Sequence, residues 1–186
     1  VRLGTLRHLV ETKPDVRLVV LTQGWAVREI QEELRHERIV LGRHDMYDPD
    51  RWQSYLISAR MRLTSRRAID AVLQLENRLA RRPAGLDALL GDFPPSLVVS
   101  THPRMPWEWD LVAWARRRGI PSLGIVKSWD NILRHLQART DRIAVWGEAN
   151  RRDAMEAERY RENEIVLTGA VPFDPYFDPS VLRDRG

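Results

Sequence analysis

The sequence predicts an α/β fold of three layers, helix on a mainly parallel sheet on helix, and three observations carry that expectation. Short β-branched or apolar runs of strand length recur along the chain, as in residues 16–22 and 96–100. Between them lie segments whose apolar residues repeat at three- and four-residue spacing. Glycines and prolines mark most of the junctions. Strands that alternate with helices are joined by crossovers, and crossovers favour parallel pairing.

Residues 1–12 read as an amphipathic helix on Leu3, Leu6, Leu9 and Val10, closed by the turn Lys13-Pro14-Asp15. Residues 16–22 (Val-Arg-Leu-Val-Val-Leu-Thr) are a strand, Gly24 breaks it, and residues 27–34 have helical spacing. A second short strand covers residues 38–41 and ends at Gly42-Arg43-His44. Asp48-Pro49-Asp50 then opens one long helix, in which Trp52, Leu56, Leu63, Ile69, Val72 and Leu79 keep the helical period. Arg82-Pro83 ends it, and residues 86–90 form a short helix. Pro94-Pro95 introduces a buried strand, residues 96–100, followed by Thr101-His102-Pro103. Residues 107–118 are a helix with Trp107, Leu111, Val112, Trp114 and Ala115 on its apolar side, capped by Gly119. A strand follows over 122–127, then a helix or turn over 132–137, a strand over 141–146, a charged helix over 150–160 and a last strand over 164–168. A chain that starts on a helix implies that the first strand of a Rossmann-like sheet precedes residue 1. On that expectation, residues 1–178 form one domain and 179–186 begin a linker or tail.

Composition narrows the function. Hydrophobic residues make up 43% and charged residues 30% of the 186, ordinary values for a globular protein. No run approaches the roughly 18 apolar residues that span a bilayer. The chain has no cysteine, so disulfides and thiolate metal sites are excluded, in keeping with a reducing cytoplasm. The net charge of +4 comes almost wholly from arginine, with Lys13 and Lys127 the only lysines, and acidic residues are interspersed. The aromatics Trp107 and Trp109 alternate with Glu108 and Asp110, which argues against stacking on nucleic acid. Arg60, Arg62, Arg66 and Arg67 crowd the long helix. They read either as a solvated face or as a weak peripheral contact with anionic lipid at the inner face of the membrane. There is no phosphate-binding G-x-x-x-x-G-K loop, no nucleophile elbow and no histidine pair at metal-ligand spacing, so no metal is expected.

In a parallel sheet, ligands bind beyond the carboxyl ends of the strands. Along the chain that edge gathers Thr101 and His102, then Lys127, Ser128, Trp129, Asp130 and Asn131, then Glu148. Hydroxyl, imidazole, carboxylate and amide groups together suit a hydroxyl-rich ligand, and an imidazole can serve as a general base near neutral pH. His102 is the candidate base, with Thr101, Lys127–Asn131 and Glu148 as substrate-binding candidates. Each also has a plain structural role open to it: a loop histidine, a core tryptophan, a snorkelling lysine, or helix caps at Asp130, Asn131 and Glu148.

Four pieces carry a family resemblance: Val99-Ser100-Thr101-His102, the A-R-x-x-G-I-P element over residues 115–121, Ser128-Trp129-Asp130-Asn131, and Asp141-Arg-Ile-Ala-Val-Trp-Gly-Glu148 leading to Thr168-Gly-Ala-Val-Pro-Phe-Asp174. Over residues 95–178 the chain resembles the N-terminal half of bacterial two-domain glycosyltransferases of the GT-B type, which act in surface-polysaccharide synthesis. It departs from the family after the tetrapeptide, where Ile132-Leu133-Arg134-His135-Leu136 replaces a small polar, lysine-containing stretch. The resemblance implies an acceptor-side domain that binds a carbohydrate or lipid-linked acceptor and no cofactor of its own. A C-terminal domain in cis would hold the nucleotide-sugar donor, so the isolated chain is expected to be inactive. A GT-B-shaped sugar-nucleotide epimerase, a polyol-phosphate transferase and a non-catalytic ligand-binding domain stay open as alternatives.

Overall fold

Among the described residues the elements are, in chain order, α1 (Leu3–Thr12), β1 (Leu18–Thr22), β2 (Ile39–Arg43), α2 (Arg51–Arg62), α3 (Arg66–Leu79), α4 (Leu86–Leu90), β3 (Val98–Ser100), α5 (Pro106–Arg117), β4 (Ser122–Ile125), β5 (Arg142–Val145), α6 (Glu148–Glu156), a 3-10 turn (Glu162–Glu164) and β6 (Ile165–Leu167). The computed structural model describes residues 3–22, 30–43, 51–80, 86–90, 94–130, 132, 136–170 and 173. Every described strand pair is parallel, in a Rossmann-like α/β arrangement. The chain divides into two compact units, Val1–Asp48 with Pro83–Pro94, and Pro49–Arg82 with Pro95–Gly186.

In the first unit β1 and β2 pair from Leu18 opposite Ile39 to Thr22 opposite Arg43. The second strand thus runs two residues past its expected end, because Leu21 and Thr22 still offer it partners. Val10, Leu34 and Ile39 form the core, with Leu6, Val20 and Leu41 packed against it. The Arg38 guanidinium donates to the carbonyls of Lys13 (2.9 Å) and Pro14 (2.8 Å) and so fixes the turn before β1.

The second unit holds a sheet of order β3-β4-β5-β6. Its core joins Ile143 and Val145 of β5 to Val126, Ile132, Leu136, Ala154 and Tyr160. Helix α5 packs on β3 and β4, α6 on β6, and α3 on α5. All residues from Trp109 to Ala115 are buried, so α5 is enclosed on every side rather than along one stripe, while Trp107 is only half-buried. Its end follows the expected design: Gly119 sits at φ +67°, and Ile120 N–H and Gly119 N–H return to the carbonyls of Ala115 and Arg116. That is a Schellman closure.

The single long helix expected over 52–79 is two helices, α2 and α3, broken at Leu63-Thr64-Ser65. Periodicity ran on through the break because Leu63 and Ile69 keep the apolar phase. Ser65 takes the N-cap position of the second helix in extended backbone, without a side-chain cap hydrogen bond. The break also serves a charge pair. In one straight helix Arg60 and Glu76 would lie about 24 Å apart, yet their side chains meet at 2.8 Å. Arg60 is 3% and Glu76 1% exposed, and the Trp109 indole donates to the same carboxylate at 3.1 Å. Arg60 also donates to the carbonyls of Leu136 and Gln137. The arginine-rich stretch is therefore not a uniform surface patch: Arg60 is interior, and Arg66 pairs with Asp70 and Glu164. Helix α6 begins at Glu148, two residues earlier than expected, and stops at Glu156. Among the described residues, no helix is long and apolar enough to cross a membrane.

Candidate functional site

The site is built on the carboxyl edge of the four-stranded sheet, where adjacent parallel strands bring successive loops side by side. β3 delivers Thr101 and His102, β4 delivers Lys127 to Asp130, and β5 delivers Trp146 to Glu148. The ladder continues past β4, because Val126 N–H donates to the Ala144 carbonyl at 3.0 Å. The polar cluster thus starts one residue beyond a fixed point in the sheet.

His102 turns the chain from β3 into α5, and its carbonyl accepts Met105 N–H at 2.9 Å. The ring is half-buried. Burial pushes its pKa below 6.5, and the charges of Lys127 and Arg104 push the same way. The imidazole is therefore neutral at neutral pH and has a nitrogen lone pair to accept a proton. Lys127 itself is exposed and forms no ion pair among the described residues. Its ammonium reaches the site through its field on His102.

In the tetrapeptide the Ser128 hydroxyl donates to Asp130 Oδ1 at 2.7 Å, closing the loop on itself. Both residues are half-buried. Trp129 keeps 64% of its surface exposed, which rules out the core-anchor reading. Its main chain is held all the same: the carbonyl accepts from Asn150 Nδ2 at 2.8 Å. An indole in solvent on a tethered backbone is a ready face for stacking on a sugar ring. Asn131 lies outside the described residues. Thr101 is exposed at the lip of β3. Glu148 is exposed at the start of α6 and pairs with Arg151 at 2.9 Å, as its helix-start reading expects.

Two residues that support the site were not singled out from the sequence. Asn150 is 6% exposed and reaches back from α6 to the Trp129 loop. The Trp146 indole donates to the Val126 carbonyl at 2.9 Å and meets the Phe173 ring edge-on at 5.6 Å. Their signal was position alone, since each lies within a few residues of a strand end. No cluster of three or more His, Asp or Glu that could hold a metal occurs among the described residues.

No protein-family model, curated protein or solved structure matches the chain. The arrangement of side chains must therefore carry the functional reading. A neutral imidazole, a hydroxyl–carboxylate pair and an exposed indole on neighbouring strand tips can together abstract a proton from a hydroxyl, orient it and stack on its ring.

Proposed function

We propose that this chain is the N-terminal, acceptor-side domain of a bacterial GT-B-type glycosyltransferase. It binds a polysaccharide or lipid-linked acceptor while a second domain in cis supplies the nucleotide-activated sugar. The observation that best supports the reading is His102, a half-buried imidazole held neutral by burial and by Lys127, one strand away from the Ser128–Asp130 loop. The motifs at 99–102, 128–131 and 166–174 add the resemblance.

In this mechanism the acceptor ring stacks on Trp129, and its hydroxyl faces the His102 imidazole. His102 takes the hydroxyl proton as the oxygen attacks the anomeric carbon of the donor. The nucleotide leaves with the electron pair of the broken glycosidic bond. Lys127 raises the positive potential where the departing phosphate develops charge. No metal is required, and transfer takes place in the cytoplasm at the inner face of the membrane.

The test uses the full-length enzyme, radiolabelled nucleotide sugar and acceptor. His102→Ala is expected to lower the transfer rate about 10²- to 10⁴-fold, the usual contribution of a general base. Trp129→Ala is expected to raise the acceptor KM and leave the donor KM unchanged. An unaltered rate in His102→Ala would remove the base assignment.

A further inference from the structure

On the amino edge of the same sheet lies a cavity of about 320 Å³, at the opposite end of the strands from the site above. Helix α3 lines it with Arg66, Gln74 and Asn77, the last turn of α5 adds Arg116, and the residues just before β5 add Arg139 and Thr140. One of these arginines, Arg139, is a buried cation with unmet donors, and a second, Arg116, is half-buried beside it. Arg139 is 3% exposed, yet its Nε and Nη1 have no hydrogen-bond partner. Its Nη2 donates to Glu164 (3.1 Å) and to the Arg159 carbonyl (3.3 Å), and its plane lies over the Tyr160 ring. Arg116 donates to neutral acceptors, the Asn77 amide oxygen and the Arg139 carbonyl. It forms no ion pair among the described residues. An unmet buried donor, as at Arg139 Nε and Nη1, costs about 1–3 kcal/mol.

The carboxylates in the same wall are already committed. Glu164 accepts from Arg66, Arg139 and the Arg161 N–H. Asp141 accepts the Ser122 N–H (2.8 Å) and hydroxyl (2.7 Å), and Asp70 lies 3.0 Å from Arg66 Nε. What remains are the unmet Nε and Nη1 donors of Arg139 beside an empty volume larger than a phosphate needs. Guanidinium groups match the tetrahedral oxygens of phosphate in both charge and fork geometry.

We propose that this cavity binds the phosphoryl group of a small phosphorylated molecule, held by Arg116 and Arg139. The site is distinct from the proposed transfer site and does not depend on that reading. Inorganic phosphate is the probe, titrated calorimetrically into the purified chain against sodium chloride at matched ionic strength. Wild type is expected to bind phosphate. Arg116→Gln, which keeps hydrogen-bonding capacity but loses the charge, is expected to bind about tenfold or more weakly. Gln74→Glu places a carboxylate on the exposed rim, where folding tolerates it, and is expected to weaken binding as well. Arg152→Gln, on the exposed face of α6, removes a charge away from the cavity and should change nothing. The proposal fails if wild type shows no phosphate binding beyond the chloride control, since water alone then fills the cavity. It fails equally if Gln74→Glu binds as wild type does, or if malonate binds and phosphate does not.

Discussion

The two edges of the four-stranded sheet treat charge differently. At the amino edge charge is interior and cross-linked: Arg139 is 3% exposed, Glu164 is shared by two arginines, and Asp141 ties the start of β5 to Ser122 at the start of β4. Close by, Arg60 and Glu76 are sealed between α2, α3 and Trp109. At the carboxyl edge Thr101 and Lys127 are exposed, Trp129 presents its indole to solvent, and order comes from single hydrogen bonds such as Asn150 to the Trp129 carbonyl. Interior ionic networks penalise any departure from one geometry. Sparse, solvated loops leave side chains free to meet a ligand, and binding sites are drawn from such regions. The cross-linked interior charge and the solvated side chains of the proposed transfer site thus lie at opposite ends of the same strands.

The largest expected effect breaks the interior side of that contrast. Glu76→Ala leaves the Arg60 guanidinium buried without its carboxylate and the Trp109 indole N–H without an acceptor. Removing one member of a buried pair is expected to cost about 3–5 kcal/mol, read as a shift in the urea midpoint. Trp129→Ala, on the open edge, should move stability by no more than about 0.5 kcal/mol. Similar midpoints for the two variants would show that the edges do not differ in this way. Arg60→Met with Glu76→Leu should recover most of the loss, because the uncompensated charge is gone.

A smaller effect tests how tightly the two edges are joined. Gly124, in the middle of β4, has room for no side chain: a Cβ there would come within 2.7 Å of the Thr140 hydroxyl and 3.5 Å of the Pro103 ring. Thr140 is itself fixed by Tyr160 and by the Arg142 carbonyl. Gly124→Ala is expected to destabilise by about 1–3 kcal/mol, the usual range for overpacking. A double-mutant cycle with Thr140→Ala measures the coupling. Additive losses would mean that the contact with Thr140 is not the cause.

How much of this was legible follows from what each feature depends on. Strand and helix order rests on local apolar runs, and β3 to β6 appear where residues 96–168 expect them. The Gly119 closure rests on a local backbone demand and was likewise legible. The break between α2 and α3 was not, because its reason lies in a partner sixteen residues away that local periodicity cannot register. Burial of Arg60 and Arg139 was hidden for the same cause, since an arginine reads as surface until its acceptors are placed. At the site, the sequence placed His102 and Ser128–Asp130 at strand ends, but not the Asn150 tether or the exposure of Trp129. The tether depends on where α6 starts, and that start was misplaced by two residues.

The smallest effect reads both edges in one experiment, through pH. His102 has a lowered pKa in the folded state, first through burial and then through Lys127 and Arg104. Above 6.5 the imidazole is neutral whether the chain is folded or not, so its contribution is level there. As pH falls below 6.5 the unfolded chain takes up the proton first, and stability declines until pH passes the lowered folded value. At Glu164 burial alone would raise the carboxyl, but the Arg161 N–H and the Arg139 and Arg66 guanidiniums together hold it below 4.5. Its stabilisation is complete above 4.5 and disappears as pH drops through the folded value. The carboxyl edge should therefore respond in the window just below 6.5, and the amino edge only below 4.5. Urea midpoints across pH for wild type, His102→Gln and Glu164→Gln separate the two. His102→Gln is expected to flatten the upper window alone, and Glu164→Gln the lower window alone. A loss of both slopes in either variant would show that the two edges titrate as one network, and the division of the sheet into a stabilising end and an open end would not hold.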